Sequence, residues 1–380
     1  MTGSLIYPLI LLAKAAVSIQ RLKEYEDWNI HEKPFSKPKA PKDWPTNGEI
    51  VVHKMCVRYR DNLPLVLKNI SFRIQAGQKV AIIGRTGSGK STSLLCFMRI
   101  LEMAKDETGA NMGYVMIDGQ KIDQIGLHEL RRNLAIIPQD PFLMQGTLRY
   151  NIDPSNEYSS SQIVAVLRAV SLLETIREED IINQRLRELK LEAEEVMSSL
   201  GDEQKNKKLE GFKDKDEYIR STIKLDLDPE VKIIKEQGIC SADKLSFKIL
   251  EGGSNLSIGQ RQLVCIARAL IKQPKILLMD EATANIDQKT DSIIQNLIKE
   301  RLKETTVVTI AHRLITVVQY DKVIILEKGE KIEEGSPAGL LDDAASFFSG
   351  LVKEGGDEFF GKMKMAANDH SLDPAELFAD

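Results

Sequence analysis

One eight-residue segment constrains the fold of this chain more than any other feature. Residues 84–91 read G-R-T-G-S-G-K-S, follow the apolar run 80–83 and precede a helix-like stretch. Glycines at these spacings let successive backbone N–H groups converge on a phosphate, while a lysine reaches the β and γ oxygens and a serine hydroxyl can bind Mg²⁺. The segment therefore predicts a strand, a phosphate loop and a helix, with a nucleoside triphosphate as ligand. The candidate binding residues are Gly84, Arg85, Thr86, Gly87, Ser88, Gly89, Lys90, Ser91 and Thr92.

The composition is that of an ordinary globular protein. The chain has 380 residues, of which 42% are hydrophobic, and this length suits one large or two moderate domains. The formal net charge is only −4, so no overall positive field attracts nucleic acid, and no nucleic-acid partner is expected. The four cysteines form no Cys-x-x-Cys pair, which favours reduced thiols in a cytosolic setting over a zinc site.

The first 48 residues differ in pattern from the rest. The stretch 5–19 is apolar, but it contains Pro8 and Lys14 and is shorter than the roughly 20 residues of a membrane-spanning helix. Residues 1–27 are therefore predicted to be an amphipathic helix packed on a partner, or the end of a membrane or coupling helix. Prolines at 34, 38, 41 and 45, with lysines between them, predict an extended linker over 28–48.

Short β-like runs then alternate with helix-like stretches. The runs lie at 49–59, 70–74, 79–83, 114–118, 134–137 and 275–279, and a helical stretch begins at Leu127. This alternation predicts an α/β core with a mainly parallel sheet, while the early strands form a smaller antiparallel layer.

Two segments depart from that alternation. Residues 177–244 are dense in Glu, Lys, Arg and Asp, and are predicted to be a charged insertion, part helix and part disordered. A solvated surface is the favoured interpretation of the insertion, and a regulatory or docking role is the alternative. The main domain is expected to cover 49–355, and residues 356–380 are expected to be a flexible tail.

An apolar strand that ends in two carboxylates is the second chemical signal. Residues 276–279 lead into Asp280 and Glu281. Asp280 can hold Mg²⁺ beside Ser91, and Glu281, pointing to the other side, can accept a proton from an attacking water. The alternative is that both acids cap the helix that follows.

A five-residue motif between these two signals distinguishes protein families. Its residues are Leu256, Ser257, Ile258, Gly259 and Gln260. The motif resembles the signature of ATP-binding cassette (ABC) proteins, and it precedes an apolar helix, where N–H groups and the helix dipole favour a γ-phosphate. The resemblance implies a P-loop NTPase (RecA-like) core, an antiparallel β subdomain and a helical subdomain that carries the signature motif.

The same resemblance assigns four more residues. Gln139 matches the Q-loop glutamine, which contacts Mg²⁺ or the attacking water, and His312 matches the switch histidine at the γ-phosphate. Asp287 matches the D-loop aspartate that touches the opposite subunit, and Tyr59 matches the aromatic residue that stacks on adenine. Without the resemblance, each residue has an ordinary alternative. Gln139 would be a polar loop residue and His312 a histidine without a special role. Asp287 would be a helix cap, and Tyr59 a core or edge tyrosine. The expected catalytic residues are thus Glu281 and His312, and the expected metal ligands are Ser91, Gln139 and Asp280.

Further segments refine the resemblance. Residues 137–141, 146–154 and 21–25 look like the second cassette of a multidrug-resistance-associated (subfamily C) exporter. The resemblance implies ATP and Mg²⁺ as cofactors, ATP hydrolysis coupled to export, and a membrane-associated cassette on the cytosolic face. It also implies a head-to-tail dimer with a second cassette and transmembrane domains as partners. The sequence departs from the family in its missing membrane domains, its longer insertion and Asn285. A nucleotide-sensing regulatory module and a soluble cassette ATPase are the alternative functions.

Overall fold

The computed structural model describes residues 3–27, 40–176, 243–281, 288–311 and 313–369, with isolated positions between 184 and 199 and at 372, 377 and 378. The strands in these ranges are β1 (Ile50–Val57), β2 (Leu67–Ile74), β3 (Lys79–Ile83), β4 (Tyr114–Ile117), β5 (Gln120–Lys121), β6 (Leu134–Ile137), β7 (Gly146–Thr147), β8 (Lys248–Ile249), β9 (Ile276–Asp280), β10 (Thr306–Ile310), β11 (Lys322–Glu327) and β12 (Glu330–Gly335). The α-helices are α1 (Gly3–Asp27), α2 (Lys90–Phe97), α3 (Leu127–Asn133), α4 (Leu148–Ile152), α5 (Ser160–Ala169), α6 (Leu172–Thr175), α7 (Ile258–Leu270), α8 (Gln288–Arg301), α9 (Leu314–Val317), α10 (Pro337–Asp342), α11 (Phe347–Lys353) and α12 (Asp357–Asn368).

A six-stranded sheet forms the centre of the domain, in the order β12-β11-β3-β10-β9-β6. The pairs from β11 to β6 are parallel, and β12 is antiparallel to β11. Strands β3, β9 and β10 are apolar and buried almost throughout, as parallel strands with both faces covered must be. The prediction of a mainly parallel α/β core is confirmed. Because parallel strands end at one edge of the sheet, the loops after β3, β9 and β10 lie at that same edge.

The early strands form a separate antiparallel sheet with the order β2-β1-β4-β5, as predicted. The apolar side of this sheet shares one core with the helix that follows the phosphate loop, through Met55, Ile70 and Phe97. A buried hydroxyl ties the two sheets together, since Thr306 Oγ1 donates to the Gly48 carbonyl at 2.7 Å. The phosphate loop and its helix are therefore supported from both sheets.

A helical subdomain built from α4, α5, α6 and α7 has its own core. Leu148, Leu167, Leu263 and Ile266 are among its buried residues. Lys244 closes the base of this subdomain, because its Nζ donates to the carbonyls of Leu173 (2.7 Å) and Ile176 (3.0 Å). The expected helical subdomain around the signature motif is confirmed, while the insertion at 177–244 lies largely outside the described residues.

The structure describes the end of the segment 28–48, for which an extended linker was predicted. Residues 28–39 lie outside the described residues, but Trp44 is buried and its Nε1 donates to the Ile117 carbonyl at 2.9 Å. Asp118 also accepts the backbone N–H groups of Asn47, Gly48 and Glu49. The end of the segment is therefore packed on the domain and is not an extended tether. A large apolar ring and three satisfied N–H groups outweigh the local preference of the prolines.

The prediction of a flexible tail over 356–380 is wrong for its first half. Residues 357–368 form helix α12, whose Met363, Ala366 and Ala367 are buried in the core that α10 and α11 share. Phe359 contacts Phe378 with ring centroids 5.1 Å apart. Apolar residues at helical spacing in this segment bury one face, and that burial offsets the ordering of a terminal helix.

The first helix carries exposed apolar side chains, among them Leu12, Ile19 and Leu22. Nowhere in the described ranges does a helix combine the length and the hydropathy that a membrane span needs. The role predicted for residues 1–27 stays a prediction.

Candidate nucleotide-binding site

Two glycines make the phosphate loop possible. Gly84 leaves β3 at φ 152°, and a Cβ there would lie 2.1 Å from the Leu326 carbonyl oxygen. Gly89 caps α2 in the left-handed region at φ 98°, and a Cβ there would lie 2.4 Å from Leu67 Cδ2. At Gly84 the backbone angle and the nearby carbonyl oxygen exclude a side chain, while at Gly89 the positive φ strains any other residue and a Cβ would displace Leu67. The loop between them directs the N-terminus of α2 at the site.

Lys90 is held inside this loop. Its Nζ donates to the carbonyls of Gly84 (2.9 Å) and Arg85 (3.2 Å), and the residue is only 6% exposed. Burial lowers the pKa of Lys90, while the charges of Glu281 and Asp280 act in the opposite direction. An ammonium group bonded to neutral carbonyls can exchange them for phosphate oxygens, which are stronger acceptors.

The predicted metal ligands from two distant parts of the sequence meet at this edge of the sheet. Ser91, in the first turn of α2, and Asp280, at the end of β9, have their Oγ and Oδ1 atoms 3.3 Å apart. A hydroxyl and a carboxylate are hard oxygen donors of the kind that Mg²⁺ prefers. Ser88 Oγ is buried and lacks a hydrogen-bond partner within the part of the chain that the structure describes. An unpaired hydroxyl beside a cradle of N–H groups fits a phosphate with its metal ion.

Glu281 follows Asp280 in an uncommon backbone conformation. Its φ is 47°, in the left-handed region, and its N–H donates to the Ile310 carbonyl at 3.1 Å. Such a conformation in a residue other than glycine costs on the order of 1–3 kcal/mol and is retained only where the surroundings hold it. The bond to β10 therefore fixes the direction in which the backbone leaves β9 at Glu281.

Tyr59 lies beside the same helix. Its hydroxyl and Thr92 Oγ1 are 3.1 Å apart, and the residue is 51% exposed. The hydrogen bond ties the tyrosine to the first turn of α2 and leaves much of the ring accessible. Stacking on adenine stays a prediction.

The signature motif starts helix α7 with a reciprocal cap. The Ser257 N–H donates to Gln260 Oε1 at 2.9 Å, and the Gln260 N–H donates to Ser257 Oγ at 3.1 Å. Gln260 Nε2 also donates to the Thr175 carbonyl at 3.2 Å. Ser257 and Ile258 are exposed, and Leu256 packs in the helical subdomain and not in the core under the phosphate loop. The motif is thus an accessible helix N-terminus in a different subdomain.

Of the other three predicted residues, the structure describes only Gln139. Gln139 is exposed, just after the end of β6. Asp287 and His312 lie outside the described residues. Next to His312, the Ala311 N–H donates to the Ile82 carbonyl at 3.3 Å, and Arg313 pairs with Asp291 at 3.6 Å.

Sequence reasoning missed three polar residues that support the site. Gln262 and Asn151 are buried, and Arg268 hydrogen-bonds to both Asn151 and Phe142. The available signal was a glutamine and an arginine inside the apolar pattern of the helix after the signature motif. Buried polar side chains of this kind are retained only with hydrogen-bond partners.

With this geometry in place, comparison with known proteins identifies the family. The family model described as "ABC transporter" matches residues 67–284, more than half of the chain. The "ATP-dependent bile acid permease" of Saccharomyces cerevisiae is 39% identical over 342 residues, and "ATP-binding cassette sub-family C member 3" of Mus musculus is 38% identical over the same length. Each match covers 90% of this chain but only 18% of the relative.

A solved structure supports the fold. The "Structure of a bacterial Atm1-family ABC exporter with ATP bound" matches with a TM-score of 0.63 at 24% identity, covering 89% of this chain and 47% of that one. At this identity the match concerns the fold alone. The resemblance to subfamily C is confirmed by the curated relatives. The chain therefore belongs to the ABC transporter family and is an ATPase domain of the kind that binds ATP with Mg²⁺.

Proposed function

We propose that this chain is the second nucleotide-binding cassette of an ATP-driven exporter. The chain spans about a fifth of the length of the curated relatives it matches, so the remainder of such a protein would supply the transmembrane domains and the other cassette. The relatives are named as a permease and as members of ABC sub-family C, which supports export over a regulatory module or a soluble ATPase. The proposal places the cassette on the cytosolic face of a membrane.

The observation that carries the catalytic part is the meeting of Ser91 and Asp280 at 3.3 Å, with Lys90 in the adjacent loop and Glu281 next in sequence. Ser91 and Asp280 would hold Mg²⁺, with Gln139 as a further ligand. When bound, the ion would neutralise charge on the β and γ oxygens and orient them. Lys90 and the loop N–H groups would bind the same oxygens, and Glu281 would accept the proton of the attacking water.

The signature motif would act on a different nucleotide. Ser257 and Gly259 lie at an exposed helix N-terminus, where N–H groups and the helix dipole favour an anion. In a head-to-tail dimer this surface would cap the nucleotide of a second cassette, and the partner's signature would cap the nucleotide held here. Asp287 and His312 would complete the shared site, and closing and opening of the dimer would drive the membrane domains.

The test is the turnover of the assembled protein after Glu281→Gln. We expect ATP hydrolysis to fall by about 10²- to 10⁴-fold, the contribution of a positioned base, while ATP binding is retained. The control is Glu304→Gln, the same chemical change at an exposed residue beyond α8. Unchanged turnover in Glu281→Gln would remove Glu281 from the catalytic role and leave the proposal without its base.

A further inference from the structure

A buried glutamine joins the signature helix to the Q-loop. Gln262 lies on α7 and is 1% exposed. Its Nε2 donates to the Pro138 carbonyl at 3.2 Å, and Pro138 directly precedes Gln139. A buried amide is costly unless it is hydrogen-bonded, so this contact fixes both the glutamine and the backbone that it reaches.

The far end of the same loop is also held by α7. Arg268 donates through Nη1 to the Phe142 carbonyl at 3.3 Å and through Nε to the Asn151 carbonyl at 2.6 Å. The buried side chain of Asn151 accepts from the Met144 N–H at 2.9 Å and donates to the Met144 carbonyl at 2.8 Å. The loop 138–144 is therefore bonded to the signature helix on both sides of Gln139.

The sheet fixes where this loop begins. Strand β6 ends at Ile137 and pairs in parallel with β9, which ends at Asp280. The loop that carries Gln139 thus begins at the edge of the sheet where Asp280 lies, and the Pro138 carbonyl of this loop accepts a hydrogen bond from α7. Ser257 lies five residues before Gln262, about 7.5 Å along the helix axis. A rigid helix of this length links the two positions directly.

We propose that Gln262 is a positioning residue for ATP hydrolysis: it holds the Pro138 backbone so that Gln139 reaches the Mg²⁺ and water position. Through the same helix, it links the state of this domain's own site to the signature offered to a partner. The inference rests on the proposed function. Gln262 itself does not touch the nucleotide, and a link of this kind acts equally in both directions.

The experiment is Gln262→Leu in the assembled protein, with two measurements. We expect turnover to fall about two- to tenfold, the range that corresponds to one lost hydrogen bond. We also expect the affinity for ATP with Mg²⁺ to fall, while the affinity for ATP in EDTA stays unchanged. A merely structural role would change both affinities together or neither, and that result would overturn the inference.

A double-mutant cycle with Gln139→Ala isolates the link. If Gln262 acts through Gln139, Gln262→Leu has no further effect on turnover in the Gln139→Ala background. Additive effects of the two substitutions would contradict the inference. Should the leucine variant fail to fold, Gln262→Met keeps the length of the side chain and still lacks the donor, and the same outcomes apply to it.

A matched control separates the link from general destabilisation. Gln319→Leu removes another amide that donates to a backbone carbonyl, that of Leu372 at 2.6 Å, in the C-terminal part of the domain. We expect this variant to keep its Mg²⁺ dependence. If Glu281→Gln abolishes turnover but Gln262→Leu behaves like Gln319→Leu, this inference fails while the proposed function stands. If Glu281→Gln leaves turnover unchanged, the proposed function fails.

Discussion

The phosphate loop and the signature motif are both helix N-termini, but their polar groups are arranged differently. At α2, Lys90 is buried against its own loop, and Ser91 lies against a carboxylate from another strand. At α7, Ser257 and Gln260 hydrogen-bond to each other, and Ser257 is exposed. The first region gathers its groups from distant parts of this chain, whereas the second uses local residues and stays open.

The two regions differ in what a single chain supplies. Lys90, Ser91 and Asp280, which we expect to bind phosphate and metal at α2, already lie together in this domain. The reciprocal cap at α7 forms without a ligand, and under the proposed function we expect the other N–H groups of this helix N-terminus to bind the nucleotide of a second cassette. We therefore expect substitutions at α2 to impair nucleotide binding, and substitutions at α7 to impair turnover with little effect on binding.

Among the tests of this comparison, Ser257→Ala should change turnover most. In the assembled protein we expect turnover to fall about 100-fold, because a donor to the developing phosphate charge is lost, while ATP affinity stays the same. The control is Ser159→Ala, since Ser159 and Gln162 form the same reciprocal cap at α5. Each variant loses about 1 kcal/mol of helix capping. Equal turnover in the two variants would show that the signature serine is only a cap.

The next effect is on binding. We expect Lys90→Ala to weaken the affinity for MgATP about 10- to 100-fold, as loss of a charge-assisted hydrogen bond to phosphate requires. Lys79→Ala is the matched control, because Lys79 also bonds to backbone carbonyls, those of Gly77, Lys303 and Thr305, and burial likewise lowers its pKa. The measurement is the MgATP affinity of the folded fraction of each variant, determined by nucleotide titration. Undiminished affinity in Lys90→Ala would refute the assignment of the loop.

A smaller effect tests the base site. We expect Tyr59→Ala to lower ATP affinity about fivefold or more, the low end of the range for an aromatic ring stacked on a base. Tyr59→Phe keeps the ring and loses only the hydrogen bond to Thr92, so we expect a change of about twofold. If both variants bind ATP equally weakly, the hydrogen bond and not the ring matters.

The smallest expected difference is between the labelling rates of two buried thiols, one on each helix. Burial raises the pKa of Cys96 on α2 to about 12, and the nearby charge of Glu102 adds to this. Burial also raises the pKa of Cys265 on α7, but Arg268 opposes the shift. Because the thiolate is the reactive form, we expect both to label slowly with iodoacetamide, Cys265 a few-fold faster, and both rates to rise with pH beyond 9. Faster labelling of Cys96 would reverse the comparison.

The elements of the core could be predicted because their signals are local. The strands Lys79–Ile83 and Leu134–Ile137 are apolar runs bounded by a glycine and a proline, and they have the predicted bounds. The order of the strands in the sheet could not be read from such runs, because pairing depends on long-range contacts. Helix α12 was missed because its apolar residues are buried in a core that it shares with α10 and α11, and the terminal position of the segment suggested flexibility.

The residues of the candidate site that belong to sequence motifs could be predicted. The polar residues that hold the neighbouring loop through contacts distant in sequence could not. The meeting of Ser91 and Asp280 follows from the edge at which parallel strands end. Gln262 and Arg268 donate to the carbonyl groups of Pro138 and Asn151, which lie 124 and 117 residues away in the sequence. No pattern in the sequence names a backbone carbonyl as a partner.

Lys244 bonds to the carbonyls of Leu173 and Ile176, so it joins the two ends of the segment between residues 176 and 244. The two ends of the intervening segment are held together by the folded subdomain, so a flexible peptide inserted between them would add only about 0.6 kcal/mol of closure entropy for each doubling of its length. We therefore expect a flexible insertion into this segment to cost little stability. Gln260 donates to the carbonyl of Thr175, which lies next to the start of this segment. A reporter protein inserted near that end would therefore lie close to the signature motif.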